Sequence, residues 1–207
     1  MTSTAEKTRS PGRPRSEKAH QAILTAVTEL LLDQGLHAMS MDEVARRAGV
    51  SKATIYRWWP SKERLALDAL AEEWASAPEA GLSDIGSLRG DLLTRLLPWL
   101  RQLNRKPYAR VVAGLVAEAQ TNREFAELYR SHFVQARRDA TRELLLRARD
   151  RGEIAVDTDL DVTLDLLYGP IYHRLLHGHA PLTEQFAQQV IDYVITAISE
   201  KGRTRSQ

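Results

Sequence analysis

The chain has 207 residues, with 29 Lys and Arg against 27 Asp and Glu, a formal charge of +2 and no cysteine. That length suits one modest domain with a smaller one beside it, and the lack of cysteine excludes a disulfide framework and a thiolate metal site. The N-terminus has no apolar signal core and no apolar run is long enough to span a bilayer, so a soluble cytoplasmic protein with no membrane partner is expected.

Charge is unevenly spread. Residues 1–65 hold 11 Lys and Arg and 7 Asp and Glu, which leaves 18 and 20 for the remainder, so a basic N-terminal part precedes a slightly acidic body. This points to nucleic acid at one end only. Residues 1–16 are polar, contain Pro and Gly, and read as a flexible basic arm. Within it, Pro11-Gly12-Arg13-Pro14-Arg15 resembles an AT-hook core, which would send Arg13 and Arg15 along a minor groove; the other reading is a solubilising tail.

A first helix is predicted over Glu17–Gly35, where Ile23, Ala26, Val27, Leu30 and Leu31 recur at helical spacing and Gly35 stops the run. Ser40 is placed to cap a short helix from Met41 to Ala48, and Asp42 and Glu43 suit its positive end. Gly49 allows a tight exit. Ser51 caps a second helix from Lys52 to about Trp58, which Pro60 ends. Val44, Ala45, Ala48, Val50 and Ile55 can pack this pair together, while Lys52, Ala53, Thr54, Tyr56 and Arg57 face outward. Donors, hydroxyls and a small apolar contact are what a major groove accepts, and Ala53 can touch a thymine methyl. The bland alternative is a helical hairpin with a solvated basic face. Ser61 then caps a helix running through Leu65, Leu67 and Leu70.

Pro78 and Gly81 suggest a connector. Further helices are predicted over Asp91–Asn104, kinked at Pro98, and over Tyr108–Gln120. One long helix over Arg123–Arg151 follows, then Leu160–Leu176 and Leu182–Ile198. Gly169-Pro170 should bend the penultimate helix. No alternating strand pattern occurs, so the fold class is all-α. His173, His177 and His179 lack a clear acidic or cysteine partner, so neither a metal nor another cofactor is expected. Nucleophile elbows, phosphate loops and dinucleotide fingerprints are missing, and an enzyme is not expected.

The run Met41–Arg64, with the helix before it and Leu36 and Met39 between, resembles the DNA-binding domain of tetracycline-repressor-type (TetR-family) regulators. The likeness covers about the first third of the chain, and Trp58-Trp59 depart from the Tyr-Phe or Phe-Phe of many relatives; we read both as packing. The resemblance implies an N-terminal three-helix helix-turn-helix domain over residues 17–64. A C-terminal helical effector-binding and dimerisation domain over residues 65–207 would follow. Ser40, Tyr56 and Lys62 would then reach phosphates, beside Lys52, Ala53, Thr54 and Arg57 around the major groove, with the capping Ser51 also among the DNA-binding candidates. Trp99, Leu103, Val112, Leu115, Tyr129, Phe133, Tyr168 and Tyr172 are candidates to line the site of a lipophilic small-molecule effector. Leu166, Leu167, Ile171, Leu175, Val190, Ile191, Val194 and Ile198 are candidates for a homodimer interface. The implied function is a ligand-responsive regulator, a repressor released from a palindromic double-stranded DNA operator by its effector. A constitutive DNA-binding dimer and a ligand-binding protein that has lost DNA binding are the alternatives.

Overall fold

The computed structural model describes residues 17–75 and 85–199; Arg13, Arg15 and the Pro78–Gly81 connector lie outside them. Ile23, Leu24, Val27, Leu30 and Leu31 are all buried by the helix they build, α1 (Glu17–Ala38). This helix runs past its predicted end. Gly35 adopts φ 80° and ψ 172°, which kinks the axis, and a last turn continues to Ala38 and buries Leu36.

Nine further α-helices follow among the described residues: α2 (Met41–Ala48), α3 (Lys52–Tyr56), α4 (Lys62–Ala75), α5 (Leu88–Leu103), α6 (Lys106–Thr121), α7 (Arg123–Tyr129), α8 (Ala136–Asp150), α9 (Leu160–His177) and α10 (Glu184–Ile198). The described residues contain no strand, so the fold is all-α. Pro98 and Gly169-Pro170 are carried inside α5 and α9 without ending them. Among the described residues no helix is long and apolar enough to cross a membrane.

The long helix expected over residues 123–151 is divided. A π-helical turn, Arg130–Gln135, separates α7 from α8. A π turn holds more residues than an α turn and so rotates the side chains that follow it. Phe125, Tyr129 and Phe133, up to and within this turn, join the core of the N-terminal helices. Leu144, Leu145 and Ala148, beyond it, join a different core with α5, α9 and α10.

Three apolar clusters organise the molecule. The first unites Ile23, Val27 and Leu30 with Val44, Ile55, Trp59, Leu65 and Leu70, and extends to Val111 and Leu115 of α6. The start of α4, expected to open the C-terminal domain, therefore packs with the first three helices. The second joins Leu92 and Leu96 to Leu164, Leu167, Ile191 and Val194. The third, smaller, holds Leu100, Leu103, Val112, Ile171, Leu182 and Ala187. Polar clasps fix the body around them. Arg138 and Arg142 of α8 hold Asp161 at the start of α9, and their hydrogen bonds keep its carboxyl below the usual carboxylate range.

This packing decides where the expected interface residues lie. Leu167, Ile171, Val190, Ile191, Val194 and Ile198 are all buried within the chain itself. Leu175 is half-buried, and of the eight only Leu166 is exposed. An apolar repeat on a helix shows that one face is covered and does not say by what. The outer face of α9 and α10 carries other large apolar side chains: Val162, Leu176 and Tyr193, beside Leu166.

Candidate nucleic-acid interface and effector site

Local chemistry shapes the α2–α3 pair. The Ser40 hydroxyl accepts from Glu43 N at 3.2 Å, and Gly49 leaves α2 at φ 66° and ψ 33°, a left-handed conformation that favours glycine. The Ser51 hydroxyl accepts from Thr54 N at 3.2 Å and meets the Thr54 hydroxyl at 2.9 Å. These caps matter because α3 has only five residues and little helical stability of its own. Ile55 is fully buried beneath it.

The surface this leaves outward consists of Lys52, Ala53, Tyr56 and Arg57, all exposed, with Thr54 half-buried beside its cap. Tyr56 is the large ring among them, 49% exposed. Lys52 is not free: its Nζ lies 3.0 Å from Asp42 of α2. Arg46 is likewise held by Glu43 within α2, and Arg47 by Glu43 and by Glu29 of α1, which ties α2 to the first helix. Lys62 sits half-buried at the first position of α4.

Behind α3 lies an aromatic buttress. Trp59 is buried and Trp58 half-buried, their rings edge to face at 5.4 Å, with His20 of α1 against both. Trp59 Nε1 donates to Asp68 of α4 at 3.0 Å, and Asp68 also accepts from Arg64 Nε at 3.0 Å. The same carboxylate faces His132 of the π turn, whose Nε2 is 3.7 Å away. His132 Nδ1 lies 2.9 Å from the Leu128 carbonyl, which can only accept, so Nδ1 carries a hydrogen and Nε2 is the atom turned to Asp68. A second tie runs from Tyr108 of α6, whose hydroxyl donates to Glu73 of α4 at 2.7 Å. The body thus grips α4 at two places, one of them directly behind Trp59.

Five of the eight candidate effector residues form a connected aromatic box in the body. Trp99 stands 5.6 Å from Tyr168 and 5.7 Å from Tyr172, and Tyr129 lies 5.9 Å from Phe133. Burial first, then the hydrogen-bonded Tyr172 hydroxyl, pushes the Tyr129 phenol up and keeps it neutral. Tyr168 is raised by burial and pairs with the Thr141 hydroxyl at 2.6 Å. Leu103 and Val112 pack in the adjoining third cluster, and Leu115 in the first. Sequence reasoning missed the centre of this box. The Arg137 guanidinium lies 4.3 Å over the Trp99 ring and donates to the Tyr172 hydroxyl at 3.3 Å. The Trp99 indole N–H is buried with no acceptor among the described residues.

A capped two-helix unit that turns an exposed, donor-bearing short helix outward on a buried aromatic base defines a DNA-binding helix-turn-helix transcription regulator. Comparisons with known proteins give its family. Residues 23–69 match the family model for bacterial regulatory proteins of the tetR family, and residues 82–194 match that for the tetracyclin repressor-like C-terminal domain. The chain is 33% identical to the uncharacterized HTH-type transcriptional regulator YdeS of Bacillus subtilis, over 94% of this chain and 97% of that one. It is 30% identical to the DNA-binding transcriptional repressor TetR of Mycobacteroides abscessus, over 91% of this chain and 97% of the relative. Among solved structures, that of the TetR family transcription regulator SCO0332 aligns with a TM-score of 0.74 at 35% identity, covering 88% of this chain and 99% of the other. The chain belongs to the TetR family of transcriptional regulators.

Proposed function

We propose that this regulator is a repressor that binds a palindromic operator as a homodimer and is released from it by a small-molecule effector held in the aromatic box. The observation that carries this reading is the shared π turn. Phe133 reaches the box from it, while His132, one residue earlier, faces the carboxylate that anchors Trp59 behind the recognition helix. An effector that binds better when this turn is displaced shifts α4, and with it the spacing of two recognition helices across a dimer axis. A coupling of about 1–3 kcal/mol changes operator affinity roughly 5- to 150-fold. A repressor is named among the relatives at 30% identity, which supports that sign of regulation.

On the DNA side, Ala53, Tyr56 and Arg57 are the exposed surface of α3, and Lys52 exchanges Asp42 for a phosphate or base edge when DNA arrives. Ser40, Ser51 and Thr54 hold the helix ends against the backbone. Tyr56 and Lys62 reach phosphates, and the arm adds Arg13 and Arg15. Selection of genomic fragments by the purified full chain, followed by footprinting at defined salt, tests the reading. A short palindrome whose affinity falls about tenfold with Arg57→Ala is expected. Weak, steeply salt-dependent binding without a motif would overturn it.

A further inference from the structure

The effector box is lined on its polar side by donors, and from this we infer the chemical class of its ligand: a ring-bearing apolar molecule carrying an oxyanion, a carboxylate or an ionised phenol. The inference rests on the aromatic box being the effector site.

Consider the polar groups there one by one. Trp99 Nε1 is a donor only, and it is buried without an acceptor among the described residues. Leaving such a group unmet in a folded interior is unfavourable, so it marks a place where an acceptor belongs. Arg137 brings five N–H donors and a fixed positive charge; its guanidinium stacks over the Trp99 ring and directs one donor to Tyr172. The Tyr172 hydroxyl accepts from Arg137 and is hydrogen-bonded to Tyr129, so these two phenols are already engaged with each other. Tyr168 is already engaged with Thr141 and the Arg137 carbonyl and offers mainly its ring.

Charge points the same way. Asp161 and Asp165, the carboxylates of α9 closest in sequence to the box, are held by Arg138 and Arg142 on the neighbouring face of α8. The box therefore presents the Trp99 N–H and the Arg137 guanidinium, both favouring an electron-rich oxygen. A ligand ammonium would meet a like charge beside Arg137 and leave the Trp99 N–H unmet. A hydrocarbon would leave the donors unmet too. An oxyanion answers them together, through charge-assisted bonds stronger than neutral ones. The rings of Trp99, Tyr129, Phe133 and Tyr172 supply flat apolar area for the rest of the molecule. Trp99 and Tyr172 pack against both the second and the third clusters, and Tyr129 and Phe133 belong to the first, so a ligand here touches all three cores.

The test uses three probes of one shape: 2-naphthoate, 2-naphthylmethanol and 2-naphthylmethylamine. Their binding to the full chain is measured by calorimetry at constant ionic strength. Naphthoate is expected to bind at least about tenfold more tightly than the alcohol, with the amine weakest. Arg137→Gln should abolish the preference for naphthoate over the alcohol, and Arg137→Lys should restore part of it. Trp99→Phe keeps a ring and removes only the N–H, so it should weaken naphthoate several-fold while preserving the melting temperature. Equal binding of acid and alcohol, unmoved by Arg137→Gln or Trp99→Phe, overturns the oxyanion assignment and leaves the box as the effector site. Binding of none of the three overturns the effector site as well.

Discussion

Asp68 shows how one side chain joins the halves of the molecule. Its carboxylate accepts from the buried Trp59 indole at 3.0 Å and from Arg64 at 3.0 Å, and it faces His132 of the π turn. Trp59 is 3% exposed, so without Asp68 its N–H would stay inside with no acceptor. Losing a partner in that way costs about 1–3 kcal/mol, and loss of the bond alone costs less. Asp68→Ala is therefore expected to destabilise the chain by about 2 kcal/mol, and by about 1 kcal/mol less on a Trp59→Phe background, where no N–H is left orphaned. Urea unfolding of the two single variants and the double variant measures the coupling. Strict additivity would show that the indole and the carboxylate act independently.

At the scale of elements, the helix-turn-helix is the part written most locally. Gly49 is its hinge, left-handed at φ 66°, and a Cβ added there would meet nothing within 4 Å. The cost of adding that first carbon is therefore conformational. Gly49→Ala is expected to lower stability by about 1 kcal/mol, Gly49→Asn by less and Gly49→Val by more, the order of tolerance for left-handed backbone. Denaturant midpoints check the series; a neutral Gly49→Val would mean that the turn does not hold this conformation. Locality also explains what was legible. Ser40, Gly49, Ser51 and the inward Ile55 act over three or four residues, so a cap, a turn and a face can be recognised from spacing. The aromatic box was legible only in its rings. Arg137 is one of eight arginines between Arg123 and Arg151, and what singles it out is a partner 38 residues away in sequence, Trp99. The π turn that rotates α8 relative to α7 is set by two different cores meeting there, which no local repeat encodes.

For the whole molecule, the expected interface residues are largely buried within the chain, and we propose that the subunits meet on the exposed outer face of α9 and α10 instead. Val162, Leu166, Gly169, His173 and Leu176 follow one another at intervals of four, three, four and three residues and are exposed along α9; Gly169 lets a facing backbone approach. Tyr193, 75% exposed, stands on the neighbouring helix α10. Two such faces meeting across a two-fold axis would bury these side chains as a four-helix bundle, each residue near its own counterpart. Leu166→Glu then sets two carboxylates against each other in that contact, while in the separated chain position 166 is already half in solvent. The variant is expected to remain helical, to sediment as a monomer where the native chain sediments as a dimer, and to lose operator affinity roughly a hundredfold as two linked half-sites become one. Leu167→Glu is the contrast: Leu167 is fully buried within the chain, so a charge there should cost the fold itself, with loss of helical signal rather than a folded monomer. Sedimentation and circular dichroism on the two variants separate the faces. If Leu166→Glu and Tyr193→Glu both left a native dimer, the outer face of α9 and α10 would not be where the subunits meet.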